Sequence, residues 1–216
     1  MSRTNFSILL LASLALLSGG CSRKADPTAT PVFVNEEDYN GALTKAEELS
    51  AKILQNYELG GTLQPGDVDK LRESRRLIRG AVAYMPQEFA PHVLDGRICL
   101  ALGDYPSAKI ALEQGLFYFP SPIVNPDAKR LYAETCHFLG ETCLFMKDQA
   151  GAEKAAEAGL KQLPGNPELL TMKASAQIQQ KKYKEAQASI ALALKSDPVN
   201  ERALALQKLL KMEGHG

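Results

Sequence analysis

Three segments of this sequence, 89–122, 133–166 and 167–200, superimpose without a gap. At the eighth position stand Gly96, Gly140 and Ala174, and at the twentieth Ala108, Ala152 and Ala186. At the twenty-seventh stand Gly115, Gly159 and Ala193, and at the thirty-second Pro120, Pro164 and Pro198. The starts at 133 and 167 lie 34 residues apart; those at 89 and 133 lie 44 apart, and the ten extra residues fall in 123–132 beside Pro120-Ser121-Pro122 and Asn125-Pro126. A unit this short cannot bury its own apolar face and must stack on copies of itself. Small residues at three fixed positions let two antiparallel helices approach closely. The proline, which lacks an N–H, ends the second helix and turns the chain into the next unit.

The period, the three small positions and the closing proline resemble the tetratricopeptide repeat family. Gly103-Asp104-Tyr105 and Lys182-Tyr183-Lys184 stand at the turn, where the family often has Gly-Asp-Tyr; the second segment has Asp148-Gln149 and lacks the tyrosine. From Glu36 onward apolar residues recur at spacings of three and four, with no sustained alternation that would signal a strand. The expected fold is therefore all-α, a tetratricopeptide-type helical-hairpin solenoid of about four helix pairs plus a capping helix. A degenerate first repeat is expected over 36–86. Its first helix runs from about Glu36 to Asn56 with Ala42, Ala46, Leu49, Ile53 and Tyr57 inward, followed by a long join at 58–66. Asp67 is the expected cap of its second helix, with Leu71, Ile78, Ala81, Val82 and Met85 on one face. The capping helix carries Leu204, Leu206, Leu209 and Leu210 within the tail, 201–216.

The first twenty residues read as a signal. Arg3 precedes an apolar stretch from Ile8 to Leu17, about half the length a membrane-spanning helix needs. Leu17-Ser18-Gly19-Gly20-Cys21 resembles a bacterial lipobox, with one departure: Ser18 stands where leucine is usual, and Leu17 is one residue further back. That resemblance implies acylation of Cys21, and two or more acyl chains anchor a protein stably. Ser22 rather than Asp after the cysteine implies sorting to the outer membrane. Residues 21–35 are then a tether, with Pro27 and Pro31 keeping it extended.

The search for chemistry returns little. The 25 basic and 25 acidic residues balance, no run of one sign occurs, and no face with clustered Lys and Arg is evident, so no nucleic-acid partner is expected. There is no HExxH, no CxxC and no glycine-rich phosphate loop. His137 adjoins Cys136, but neighbours on a helix point about 100° apart and do not chelate together easily. No catalytic residue, metal or cofactor is predicted. Cys136 and Cys143 are about 10.5 Å apart along one helix and cannot bridge each other. Cys99 bridged to either of them, or three free buried thiols, are both open.

In the family, the first helix of each pair lines a concave groove at positions two, five, nine, twelve and thirteen. The resemblance transfers that role to Val93, Arg97 and Leu100; to Glu134, His137, Glu141, Leu144 and Phe145; and to Thr171, Ser175, Ile178 and Gln179. An extended peptide or amphipathic helix of another protein suits such a mixed surface. The expected function is a membrane-anchored interaction scaffold of the bacterial envelope, assisting assembly of an outer-membrane, pilus or secretion complex. The alternatives are a general envelope factor with transient contacts, or an enzyme of unrecognised type.

Overall fold

Six helices among the described residues begin where a short polar side chain takes up a free N–H group of the first turn. Asn35 accepts from the Asp38 N–H at 2.8 Å and starts α1 (Glu36–Glu58). Asn125, Asn166 and Asn200 do the same for α5 (Pro126–Phe145), α7 (Pro167–Gln179) and α9 (Glu201–Met212). Asp104 and Asp148 cap α4 (Tyr105–Phe117) and α6 (Gln149–Gln162). The remaining helices are α2 (Pro65–Tyr84), α3 (Phe89–Ala101) and α8 (Tyr183–Ser196). Asp67 is not the cap of α2. It lies inside the first turn, where Oδ2 accepts from the Gln64 N–H at 3.0 Å, so the helix starts earlier, at Pro65, a residue suited to a first turn. These helices come from a computed structural model that describes residues 29–215; the signal, Cys21 and the tether up to residue 28 lie outside the described residues.

The helices pair in sequence, α1 with α2, α3 with α4, α5 with α6 and α7 with α8, and α9 closes the end. Among the described residues there are four pairs and a cap, with no strand. The odd helices also touch one another in a row, α1 to α3, α3 to α5, α5 to α7 and α7 to α9, whereas the even helices do not touch each other. A stack contracted along one row and splayed along the other must curve, so the odd helices form its concave side.

Side-chain size sets the spacing. A Cβ on Gly96 would lie 2.5 Å from Leu112 Cγ in its own pair, and a Cβ on Gly159 would lie 2.6 Å from Leu169 Cδ1 in the next. In the first repeat, where the register is lost, a polar clasp does this work: Ser50 and Ser74 both donate to the Ala46 carbonyl at 2.8 Å, one from each helix. The inward face of α1 is accordingly Tyr39, Ala42, Ala46, Ser50 and Leu54, while Leu49, Ile53 and Tyr57 are only partly buried. The ten-residue excess is not a slack loop. It lengthens α5 to 20 residues against 13 in α3 and α7, and buried Phe119 pins it between Phe89, at 4.6 Å, and Tyr132, at 5.2 Å.

Each first helix ends the same way. Gly103, Lys147 and Lys181, all at the fifteenth position, have φ of 75°, 58° and 61°. The next N–H in each case reaches back to close the turn: Asp104 to Cys99 O, Asp148 to Cys143 O and Lys182 to Gln177 O, at 2.8–2.9 Å. Of these three units only the one at 89–122 uses glycine there. A left-handed conformation costs a residue with a Cβ about 1–2 kcal/mol, and glycine's extra backbone entropy offsets about 0.5–1 kcal/mol of any gain from removing the Cβ.

One residue further on, an ion pair ties each unit to the one before it. Arg75 of α2 meets Asp104 at 3.0 Å and Lys109 of α4 meets Asp148 at 2.7 Å; at the next step the polarity reverses, and Glu153 of α6 meets Lys182 at 2.8 Å. The reversal disfavours some out-of-order stacking, since the unit carrying Lys182 would meet a like charge if displaced onto Arg75 or Lys109.

Lys147→Gly and Lys181→Gly are each expected to stabilise the chain by about 0.5–1 kcal/mol, raising the midpoint of thermal unfolding by roughly 2–4 °C. Circular dichroism on the full chain checks this, and a lowered midpoint contradicts the reading of the turn.

Candidate partner groove

Three successive odd helices and one loop meet around a hollow of ≈ 450 Å³ on the concave side. The end of α1 and the turn after it bring Tyr57, Glu58 and Gly60; α3 brings Arg97 and Leu100; α5 brings Glu134, His137, Phe138, Glu141 and Phe145. Arg97 is held on two sides. Its Nη2 and Nε donate to Glu58 Oε1 at 2.7 and 3.0 Å, and its guanidinium lies 5.0 Å from the centre of the Phe138 ring. Glu141 faces His137 Nε2 at 3.8 Å and Arg202 of α9 at 3.5 Å. Phe145 is 54% exposed and stacks on Tyr105, centroids 4.9 Å apart with planes 7° from parallel. Burial pushes the His137 pKa below its ordinary value, against the opposing pull of Glu141, so the ring is neutral at neutral pH. Burial likewise raises the Tyr57 hydroxyl pKa, with Tyr105 and Glu141 adding to it.

Six of the twelve groove positions inferred from the repeat register line this hollow: Arg97, Leu100, Glu134, His137, Glu141 and Phe145. Leu100 is buried at the floor of the hollow, and two further positions are buried away from it and are corrected. Val93 is buried, its Cγ2 filling the space left by Gly115. Thr171 is fully buried, its hydroxyl donating to Glu168 O within its own helix at 2.9 Å. Short branched side chains at the fifth position stay within the helix layer, whereas the longer His137 reaches out of it. Leu144 and Ile178 are half-buried against the core, Ser175 donates to Thr171 O, and exposed Gln179 accepts from Gln149. These four lie outside the hollow. Tyr57, Glu58 and Gly60 escape the register because the first repeat has none, and Phe138 escapes it by sitting one residue past a groove position.

A second correction concerns charge. Arg72, Arg75, Arg76 and Arg79 share one face of α2, at spacings a helix brings together, and line another hollow of ≈ 420 Å³. Carboxylates interleave with them: Arg75 is bonded to Asp95 and Asp104, and Arg76 to Glu73 and the Ala29 carbonyl. Arg75 and Arg76 are thus an internal brace, while Arg72 and Arg79 stay exposed on the same face.

Cys99, Cys136 and Cys143 are free and buried. Burial raises their pKa values to about 12, 12 and 11, which leaves the reactive thiolate scarce. Among the described residues no group of three or more His, Cys, Asp or Glu is placed to hold a metal ion, and no helix is long and apolar enough to cross a membrane.

The geometry now has counterparts among known proteins. Residues 146–210 match the tetratricopeptide repeat family model. The fold is a tetratricopeptide-type solenoid. Solved structures of the same fold include the APC/C heterotetramer Cut9–Hcn1, at 16% identity and a TM-score of 0.60 over 79% of this chain. This chain spans only 29% of that one. PilF of Pseudomonas aeruginosa matches at 16% identity and a TM-score of 0.54, covering 83% of this chain and 86% of its own. MamA matches at 14% identity and 0.50, covering 76% and 94%. No curated protein sequence matches the chain. The tetratricopeptide fold is that of an interaction scaffold, in which a partner protein occupies the groove.

The depressed His137 pKa has a stability consequence with a defined sign. The unfolded chain takes up a proton near the ordinary value, about 6.5, and the folded chain resists it, so the stabilisation is present above that pH and is lost as pH falls through the lowered folded value. Between pH 7.5 and 5 the urea midpoint of the wild type should fall more steeply than that of His137→Gln. Equal slopes would place His137 in an ordinary environment.

Proposed function

We propose that this chain is a lipid-anchored scaffold of the bacterial envelope that holds a segment of another protein against the concave side of its repeats. The observation that carries the proposal is the hollow itself: three stacked odd helices present an exposed aromatic ring, a clamped arginine and three carboxylates to one open space. Nothing nearby supplies a nucleophile with a base or a metal cluster, so recognition is the work this surface suits. Cys21, within its lipobox-like sequence, supplies the anchor, and the tether is shorter than the expected 21–35, because Ala29, Pro31 and Phe33 are already held against α2; the residues between Cys21 and Ala29 set the distance from the membrane. Ser22 favours the outer membrane. The likeness of fold to PilF, extending over most of both chains, agrees with assembly of a pilus, secretion or other outer-membrane complex as the process served.

Two experiments test the two halves separately. Cys21→Ser should move the protein from the membrane pellet to the soluble fraction; retention in the pellet would overturn the anchor. Crosslinked membranes carrying the wild type should yield a defined partner on affinity capture, and Arg97→Glu with Phe145→Asp should reduce its recovery at least about tenfold. Unchanged recovery would overturn the groove.

A further inference from the structure

We infer that the groove recognises a cationic side chain, a lysine or arginine of the partner segment, with an apolar neighbour seated on the exposed ring of Phe145. The inference rests on the scaffold reading and adds the chemistry of what is held. Three carboxylates line the hollow, Glu58, Glu134 and Glu141, against the guanidinium of Arg97 within it and that of Arg202 at its edge. That guanidinium is already satisfied by Glu58 and the face of Phe138 and has little left to offer an anion. Exposed Glu134 has no ion-pair partner among the described residues, and Glu141 shares a 3.5 Å ion pair with the half-exposed Arg202 at the edge of the hollow and faces His137, so Glu134 is the carboxylate left free for a partner's cation.

The aromatic rings point the same way. Arg97 over Phe138 shows that a cation already settles against a ring in this hollow. Phe145 rests one face on Tyr105 while staying 54% exposed, which leaves ring surface for a second cation or for the stem that carries it. A lysine or arginine can lay its methylenes on Phe145 and bring its charge to Glu134 and Glu141. An acidic segment would bring its carboxylate against the unpaired Glu134, with Glu141 close by, and would be rejected.

The test is a random dodecapeptide phage library panned on the full chain in detergent micelles, keeping clones whose binding is lost on Phe145→Asp. Those clones should share one Lys or Arg beside an apolar residue. In the best peptide, replacing that residue with Ala should weaken binding about tenfold. Glu134→Gln with Glu141→Gln, folded by circular dichroism, should weaken the wild-type peptide equally and the Ala peptide hardly at all; Glu185→Gln, outside the groove, should change neither. Groove-dependent clones with an acidic or uncharged consensus would overturn the cation inference and leave the scaffold reading standing. So would a glutamine pair that leaves affinity unchanged. No groove-dependent clone at all would overturn both. A synthetic peptide of residues 22–31, which contains Arg23 and Lys24, competing as well as the best clone would identify the occupant as the chain's own tether and overturn the assignment to a partner.

Discussion

The whole architecture depends on how closely neighbouring helices approach. At Gly96 and Gly159 a single added carbon would sit 2.5–2.6 Å from a leucine of the facing helix, too near for any relaxed packing. Those contacts join each helix to its neighbour in sequence, and between odd helices Gly140 of α5 makes room for Met172 of α7 in the same way; the odd helices form one continuous row while the even helices stay apart. The curvature follows from the difference, and the concave surface follows from the curvature. The groove exists because certain side chains are missing.

Polar groups then fix what apolar packing leaves free. The inter-unit pairs Arg75–Asp104, Lys109–Asp148 and Glu153–Lys182 occupy the same register in successive units and change sign once. Two of the acidic partners, Asp104 and Asp148, also cap the helix they precede, so helix start and unit order are specified by one residue. Partly exposed pairs such as these stabilise little one by one. Their value lies in orientation. The aligned first helices then deliver Arg97, His137 and Glu141, from two different units, to one hollow.

The fold was largely legible in the sequence because its determinants are discrete. Gly96, Gly140 and Ala174 can be read at a glance as small, and Pro120, Pro164 and Pro198 as stops. The first repeat was harder. There the close contact runs through Ser50 and Ser74 sharing one carbonyl, a three-residue arrangement that leaves no periodic mark. The site was half legible. Arg97, Glu134 and Glu141 follow from the repeat register, but Tyr57 and Glu58 arrive from a unit without one. Val93 and Thr171 occupy groove positions by number yet are too short to leave the helix layer. The arginine face of α2 went unseen for another reason: residues 72, 75, 76 and 79 look mixed in a linear sequence containing Glu73, and gather only on the helix.

Recognition through the concave row is the central claim, and site-specific photocrosslinking in living cells tests it most directly. A benzophenone amino acid replaces exposed Phe145 on α5 in one strain, and exposed Ile110 on α4 or Leu192 on α8 in others. The account predicts a discrete adduct from position 145 and none from 110 or 192. Adducts from the even-helix positions with none from 145 would place the binding surface on the opposite side of the solenoid and contradict it.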